Sequence, residues 1–170
     1  MTEKFFVDTN VFLYAHDSAE SGKRSIATGW IRRLSREGNG RVSIQVLSEF
    51  YVTLRGKMRH EISAEGAWNE VNALLDWNPQ RLDGHLLLQA REIDQRYRIS
   101  WWDSLIVAAA QVQECSVLLT EDLQDGMRFG NVVVQNPFSM KVREPTAIYA
   151  ADLQLSLRDR RPERRLKQAA

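Results

Sequence analysis

Apolar positions along the chain recur with two alternating periods. Short runs at 4–7, 41–44, 116–120 and 131–134 are rich in aromatic or β-branched residues and have the length of buried strands. Between them the period lengthens to that of a helix. Over 22–36, Ile26, Trp30, Ile31 and Leu34 share one face while Lys23, Arg32, Arg33 and Arg36 take the other. Gly38-Asn39-Gly40 breaks that helix. Helical spacing returns over 45–55 through Val46, Leu47, Phe50, Tyr51 and Leu54. Ser63 is placed to cap a helix carrying Ala67, Val71, Leu74 and Leu75, which Asn78-Pro79 ends. Asp83 is placed to cap the next, with Leu86, Leu87, Ala90, Ile93 and Tyr97 as its apolar stripe. The segment 101–112 is apolar around most of its circumference, which predicts a central helix.

Strands alternating with helices of this length predict an α/β fold with a mainly parallel sheet. The repetition closes at Asn136-Pro137, so the expected folded domain is 1–138. The extension 139–170 differs in character. It is expected to hold a helix over 146–157, followed by the basic run Arg158-Asp159-Arg160-Arg161-Pro162-Glu163-Arg164-Arg165-Leu166-Lys167. That run reads as a solvated tail or as an arm for phosphates or for a partner's acidic surface.

Composition narrows the class. With 44% hydrophobic and 26% charged residues, the 170-residue chain is neither disordered nor membrane-embedded, and no window approaches the ~20 apolar residues of a spanning helix. No stretch reads as a signal peptide, and the single cysteine, Cys115, predicts a small buried residue in a reducing, cytoplasmic setting. The formal net charge of +1 announces no polyanionic partner, although an acidic site and basic patches would cancel in that sum.

The candidate chemistry lies where apolar segments meet polar ones. Asp8 ends Phe5-Phe6-Val7, Glu49 interrupts a core-facing helical pattern, Asp103 opens the central helix, and Asp122 follows Val117-Leu118-Leu119. Sites in parallel sheets form at the carboxyl ends of strands, an edge all four can reach. An ionised carboxylate loses hydration on burial, and several together repel, so a divalent cation is the simplest compensation. Each also has a plainer reading: Asp8 as a turn cap, Glu49 as a solvent-face residue, Asp103 as a helix-dipole partner, Asp122 as a turn residue. Asp125 is a rival ligand better suited to a turn, and Glu121 is expected to be solvated. His16, His60 and His85 show no ligand spacing, and the chain has no zinc pattern, phosphate loop or dinucleotide fingerprint. A haloacid dehalogenase-type phosphatase would need an acid where Asn10 stands.

The segments Phe6-Val7-Asp8-Thr9-Asn10-Val11-Phe12-Leu13-Tyr14, Ser43-Ile44-Gln45-Val46-Leu47-Ser48-Glu49-Phe50, Trp102-Asp103-Ser104-Leu105-Ile106-Val107-Ala108-Ala109-Ala110 and Leu119-Thr120-Glu121-Asp122-Leu123-Gln124-Asp125-Gly126 resemble, in order and spacing, the PIN domain. Within it they resemble the VapC-type toxins of toxin–antitoxin pairs. The resemblance implies a PIN-like three-layer sandwich and metal-dependent ribonuclease activity that leaves a 5′-phosphate and a 3′-hydroxyl. By it, Asp8, Glu49, Asp103 and Asp122 are catalytic carboxylates that hold Mg²⁺ or Mn²⁺. Thr9, Asn10 and Thr120 are polar supports around them. It further implies an RNA substrate, a homodimer and, for a toxin, a cognate antitoxin; the basic extension departs from the pattern. Arg55, Lys57, Arg59 and His60, with Arg96, Arg98 and Arg128, are candidates for substrate grip. Trp101 or Trp102 could stack a base, with core packing expected for at least one of them. A non-catalytic binding module and a housekeeping processing nuclease are the alternatives.

Overall fold

A computed structural model of the chain describes residues 3–139. The helix expected over 146–157 and the basic run 158–167 lie outside the described residues.

The architecture is an α/β fold with a five-stranded, mostly parallel sheet flanked by helices. Strand β1 (Phe5–Val7) is fully buried and passes into a short helix α1 (Thr9–Tyr14). Helix α2 (Ser21–Glu37) ends at Gly38, whose φ of 67° accommodates the turn into β2 (Gly40–Arg41). Helices α3 (Ile44–Arg55) and α4 (Ala64–Leu74) follow, then a 3-10 turn at Leu75–Trp77 and α5 (Gly84–Tyr97). The central helix α6 (Trp101–Val112) leads to β3 (Val117–Leu119), β4 (Arg128–Phe129) and β5 (Val132–Gln135). The sheet order is β2-β1-β3-β5-β4, parallel throughout except for the β4–β5 hairpin at the edge.

Local sequence explains most boundaries. Ser63 and Asp83 cap α4 and α5 as expected, accepting from the amides of Gly66 and Leu86 at 3.0 and 2.9 Å. Helix α6 buries every side chain from Ser104 to Ala110, which suits a helix sunk against the sheet.

Three expectations are corrected and two elements are added. The strand expected over 41–44 is reduced to Gly40–Arg41, because the Ser43 hydroxyl caps α3 and Ile44 is already helical. Ile26, Leu75 and Leu87 point outward instead of joining their stripes; Leu75 has left the α-helix for the 3-10 turn. Neither Trp101 nor Trp102 packs into the core, since both lie in the exposed first turn of α6, 38% and 62% accessible. Helix α1 and strand β4 are additions, each too short to impose a period on the sequence.

Candidate active site

Sheet order brings two of the candidate residues, Asp8 and Thr120, to one edge. Strands β1 and β3 are parallel neighbours with Val7 opposite Leu119, so the residues that leave them, Asp8 and Thr120, emerge side by side. The Asp8 amide donates to the Leu119 carbonyl at 3.0 Å, continuing the ladder by one residue. Strand β2 flanks β1 on the other side, and α3, which carries Glu49, starts just beyond it. The chain crosses from β2's side of β1 to β3's at this point, the kind of reversal where crevices form in open α/β sheets.

Asp8 is buried at 7% exposure and serves as the N-cap of α1. Its Oδ1 accepts from the Thr9 amide at 2.7 Å, and its Oδ2 accepts from the Thr120 hydroxyl at 2.7 Å. The Asn10 side-chain amide joins the centre, with Nδ2 at 3.2 Å from Asp8 Oδ2, 3.0 Å from Thr120 Oγ1 and 3.0 Å from Asp122 Oδ2. Thr120 Oγ1 also accepts from the Asp122 amide at 3.1 Å, fixing the chain just after β3. On the other flank, the Thr9 hydroxyl donates to Glu49 Oε2 at 3.1 Å, and Gln45 Nε2 donates to Glu49 Oε1 at 3.0 Å. Three carboxylates, Asp8, Glu49 and Asp122, are thus linked through neutral donors.

Asp103 stands apart from that network. Its hydrogen bonds run to the α6 N-cap: Ser100 Oγ donates to Asp103 Oδ2 at 2.7 Å and accepts from the Asp103 amide at 3.1 Å. Asp125 takes the turn role, accepting from the Asn136 amide at 2.8 Å. Glu121 corrects the expectation of solvation. It is partly buried, accepting from Lys23 Nζ at 2.6 Å and from the Tyr14 hydroxyl at 2.5 Å. Burial pushes the Cys115 thiol up to about 12, so it is no nucleophile at neutral pH.

The site is electrostatically strained. Burial raises the Asp8 carboxyl from 3.8 to about 7. Hydrogen bonds from Thr120 and the Thr9 amide oppose that rise, while the Asp122 and Glu49 charges add to it. Asn10 Oδ1 is also buried without a hydrogen-bond partner. Hard oxygens, accumulated negative charge and an orphaned acceptor are chemistry that suits Mg²⁺ or Mn²⁺. Among the described residues, no three His, Cys, Asp or Glu side chains are grouped closely enough to hold an ion by themselves.

A cleft of about 500 Å³ opens beside the network, lined in part by Asn10, Tyr14, Lys57, His60 and Glu121. Two of the seven basic candidates, Lys57 and His60, therefore face the space next to the carboxylates. Arg96 instead lies 5.4 Å from the Tyr97 ring, and Arg98, at φ 54°, terminates α5.

The PIN domain family matches residues 5–124, a span that contains all four acidic candidates. The chain belongs to the PIN domain family. PIN domains are generally nucleases acting on RNA or other nucleic acids, typically with divalent metals. No curated protein matches the chain. Among the described residues, no helix is long and apolar enough to cross a membrane.

Several supporting residues of this PIN domain escape a reading of the carboxylates alone. Gln45 precedes Glu49 by four residues, the spacing at which helical side chains meet. Ser100 precedes Asp103 by three, a capping-box spacing that signals both the helix start and the carboxylate's partner. Tyr14 and Lys23 carry no such local signal, because their partner Glu121 is about a hundred positions away.

Proposed function

We propose that this protein is a cytoplasmic, metal-dependent ribonuclease, the toxin of a toxin–antitoxin pair, with Asp8, Glu49, Asp103 and Asp122 as its catalytic and metal-holding carboxylates. The single observation that carries the reading is the network that gathers the buried Asp8 with Glu49 and Asp122 through the neutral donors Thr9, Asn10 and Thr120. A fold that needed Asp8 for capping alone would gain nothing from surrounding it with like charge.

In this reading Asp8, Glu49 and Asp122, which are not grouped closely enough to hold an ion as they stand, would close on the cation when it binds, and Asp103 would add a further carboxylate from the first turn of α6. Thr9, Asn10 and Thr120 orient these groups by the bonds described. Lys57 and His60 take substrate phosphates in the adjoining cleft. A bound Mg²⁺ or Mn²⁺ supplies charge neutralisation at the phosphate and acidifies a water for in-line hydrolysis. The antitoxin and the homodimer are carried by the resemblance to VapC-type toxins. Leu87, Leu88, Trp101 and Trp102, on the mutually packed helices α5 and α6, are among the exposed large apolar side chains that such association would cover.

A second reading draws on the hydrogen bonding of Asp103 to Ser100: a PIN module that binds RNA without cutting it. End-labelled RNAs incubated with Mg²⁺, Mn²⁺ or EDTA separate the two. Metal-dependent cleavage lost in Asp8→Asn supports the enzyme, and RNA binding without turnover supports the module. A small co-encoded protein that suppresses the cleavage marks the toxin, and its absence favours a housekeeping processing nuclease.

A further inference from the structure

One cluster beside the site is not explained by metal or substrate binding. Lys23 Nζ, from α2, donates to Glu121 Oε2 at 2.6 Å and lies 2.9 Å from the Tyr14 hydroxyl. Tyr14, from the end of α1, donates in turn to Glu121 Oε1 at 2.5 Å. The Lys23 ammonium sits 4.1 Å from the Tyr14 ring centroid, and Phe138 packs edge-on against that ring at 4.9 Å. Both carboxylate oxygens of Glu121 are therefore engaged, by two residues from two different helices.

Glu121 lies between Thr120 and Asp122. After the Thr120 amide bonds the Gln135 carbonyl at 3.2 Å, the chain leaves the sheet in a series of bends. Asp122 is exposed and held by the Thr120 hydroxyl and Asn10. A side-chain clamp one residue before it supplies restraint that the lost ladder no longer gives. The Lys23–Glu121 pair is itself partly exposed, at 32% and 22%, and ion pairs of that kind contribute little to stability. Its consequence is geometric.

We infer that Lys23 and Tyr14 are positioning residues which, through Glu121, hold the Asp122 carboxylate where it joins Asp8 in binding a divalent cation. The inference rests on the nuclease reading above. It also makes a prediction opposite in sign to simple electrostatics. Removing the Lys23 charge lowers the repulsion felt by an incoming cation and should tighten binding if charge alone matters. If Lys23 positions Asp122, the same change weakens binding, as loss of an outer partner of a metal ligand typically does by about tenfold or more.

The test is Mn²⁺ titration by calorimetry on the full chain, comparing wild type, Lys23→Met, Lys23→Arg, Tyr14→Phe and Asp122→Asn. Each variant's urea midpoint and RNA binding are measured in EDTA. The expected result is about tenfold weaker Mn²⁺ binding in Lys23→Met, a similar loss in Tyr14→Phe, which changes no charge, and recovery in Lys23→Arg. If Lys23→Met does not fold, Tyr14→Phe decides. Unchanged or tighter Mn²⁺ binding in the folded variants overturns the inference. So does a Lys23→Met protein that keeps its Mn²⁺ affinity but binds RNA less well, since Lys23 would then be a phosphate contact. Asp122→Asn separates the two levels. If it abolishes Mn²⁺ binding while Lys23→Met and Tyr14→Phe do not affect it, only the positioning role fails. If wild type takes up no Mn²⁺, the nuclease reading falls and the positioning role with it; if Asp122→Asn binds Mn²⁺ normally, Asp122 is no ligand and the positioning role alone falls.

Discussion

The raised Asp8 carboxyl makes the stability of the metal-free protein depend on pH in a direction unusual for an aspartate. In the unfolded chain Asp8 titrates near 3.8, and in the folded protein near 7. The folded state thus holds a proton that the unfolded state releases, and stability falls wherever the folded state binds more protons. The contribution is fully present below about pH 4, declines as pH rises, and is lost once pH passes through about 7. Each pH unit between those two values is worth about 1.36 kcal/mol, so the loss amounts to about 4 kcal/mol. For a chain of this size that corresponds to roughly 10 °C in Tm.

Urea denaturation in EDTA at intervals from pH 4 to 8.5 measures this, with wild type and Asp8→Asn compared in parallel. Both proteins share every other titrating group, so the difference between their curves isolates residue 8. The wild type should lose stability relative to Asp8→Asn between pH 4 and 7, and the difference should level off above that. Saturating Mn²⁺ at pH 8 should restore wild type by about 2.7 kcal/mol at a hundredfold excess over Kd, and leave Asp8→Asn unmoved. Parallel curves for the two proteins would refute the reasoning. They would mean that Asp8 ionises in the folded state as easily as in the unfolded one, and that its burial generates no demand for a cation.

Other perturbations probe separate parts of the structure. Thr120→Val removes a buried hydroxyl that donates to Asp8 and accepts from the Asp122 amide; it should cost about 1–3 kcal/mol in urea melts and lower nuclease activity at least tenfold. Gly40→Ala would place a methyl against the buried Trp77 ring, within 2.8 Å of its outer edge. Thermal melts should show a loss of about 1–3 kcal/mol with metal affinity unchanged. Ser100→Ala removes the α6 cap and the donor to Asp103, which should cost about 1 kcal/mol of stability. If Asp103 is catalytic, kcat should fall more than that loss explains.

What the sequence made legible follows from the range over which each signal acts. Helices α2, α3, α4, α5 and α6 announce themselves because ten or more residues repeat one period, and β1, β3 and β5 because aromatic or β-branched runs are bounded by polar breaks. Helix α1 and strand β4, six and two residues long, carry no period to detect. Their places are set by Asp8 capping in one case and by pairing with β5 in the other. The same division runs through the site. Asp8 and Asp122 are legible because each follows an apolar strand, and Gln45 and Ser100 could have been found at helical spacing from Glu49 and Asp103. The exposure of both tryptophans was not legible, since an aromatic pair at a helix start fits a core or a surface equally well. Nor was the burial of Glu121. Its environment is made by Tyr14 and Lys23 at separations of 107 and 98 residues, and only the sheet order that places β3 beside β1 brings them together. Local chemistry in this chain therefore marks the candidate residues, while topology decides how those residues are held. The residues most open to misreading are those, like Glu121, whose partners come entirely from distant stretches of the sequence.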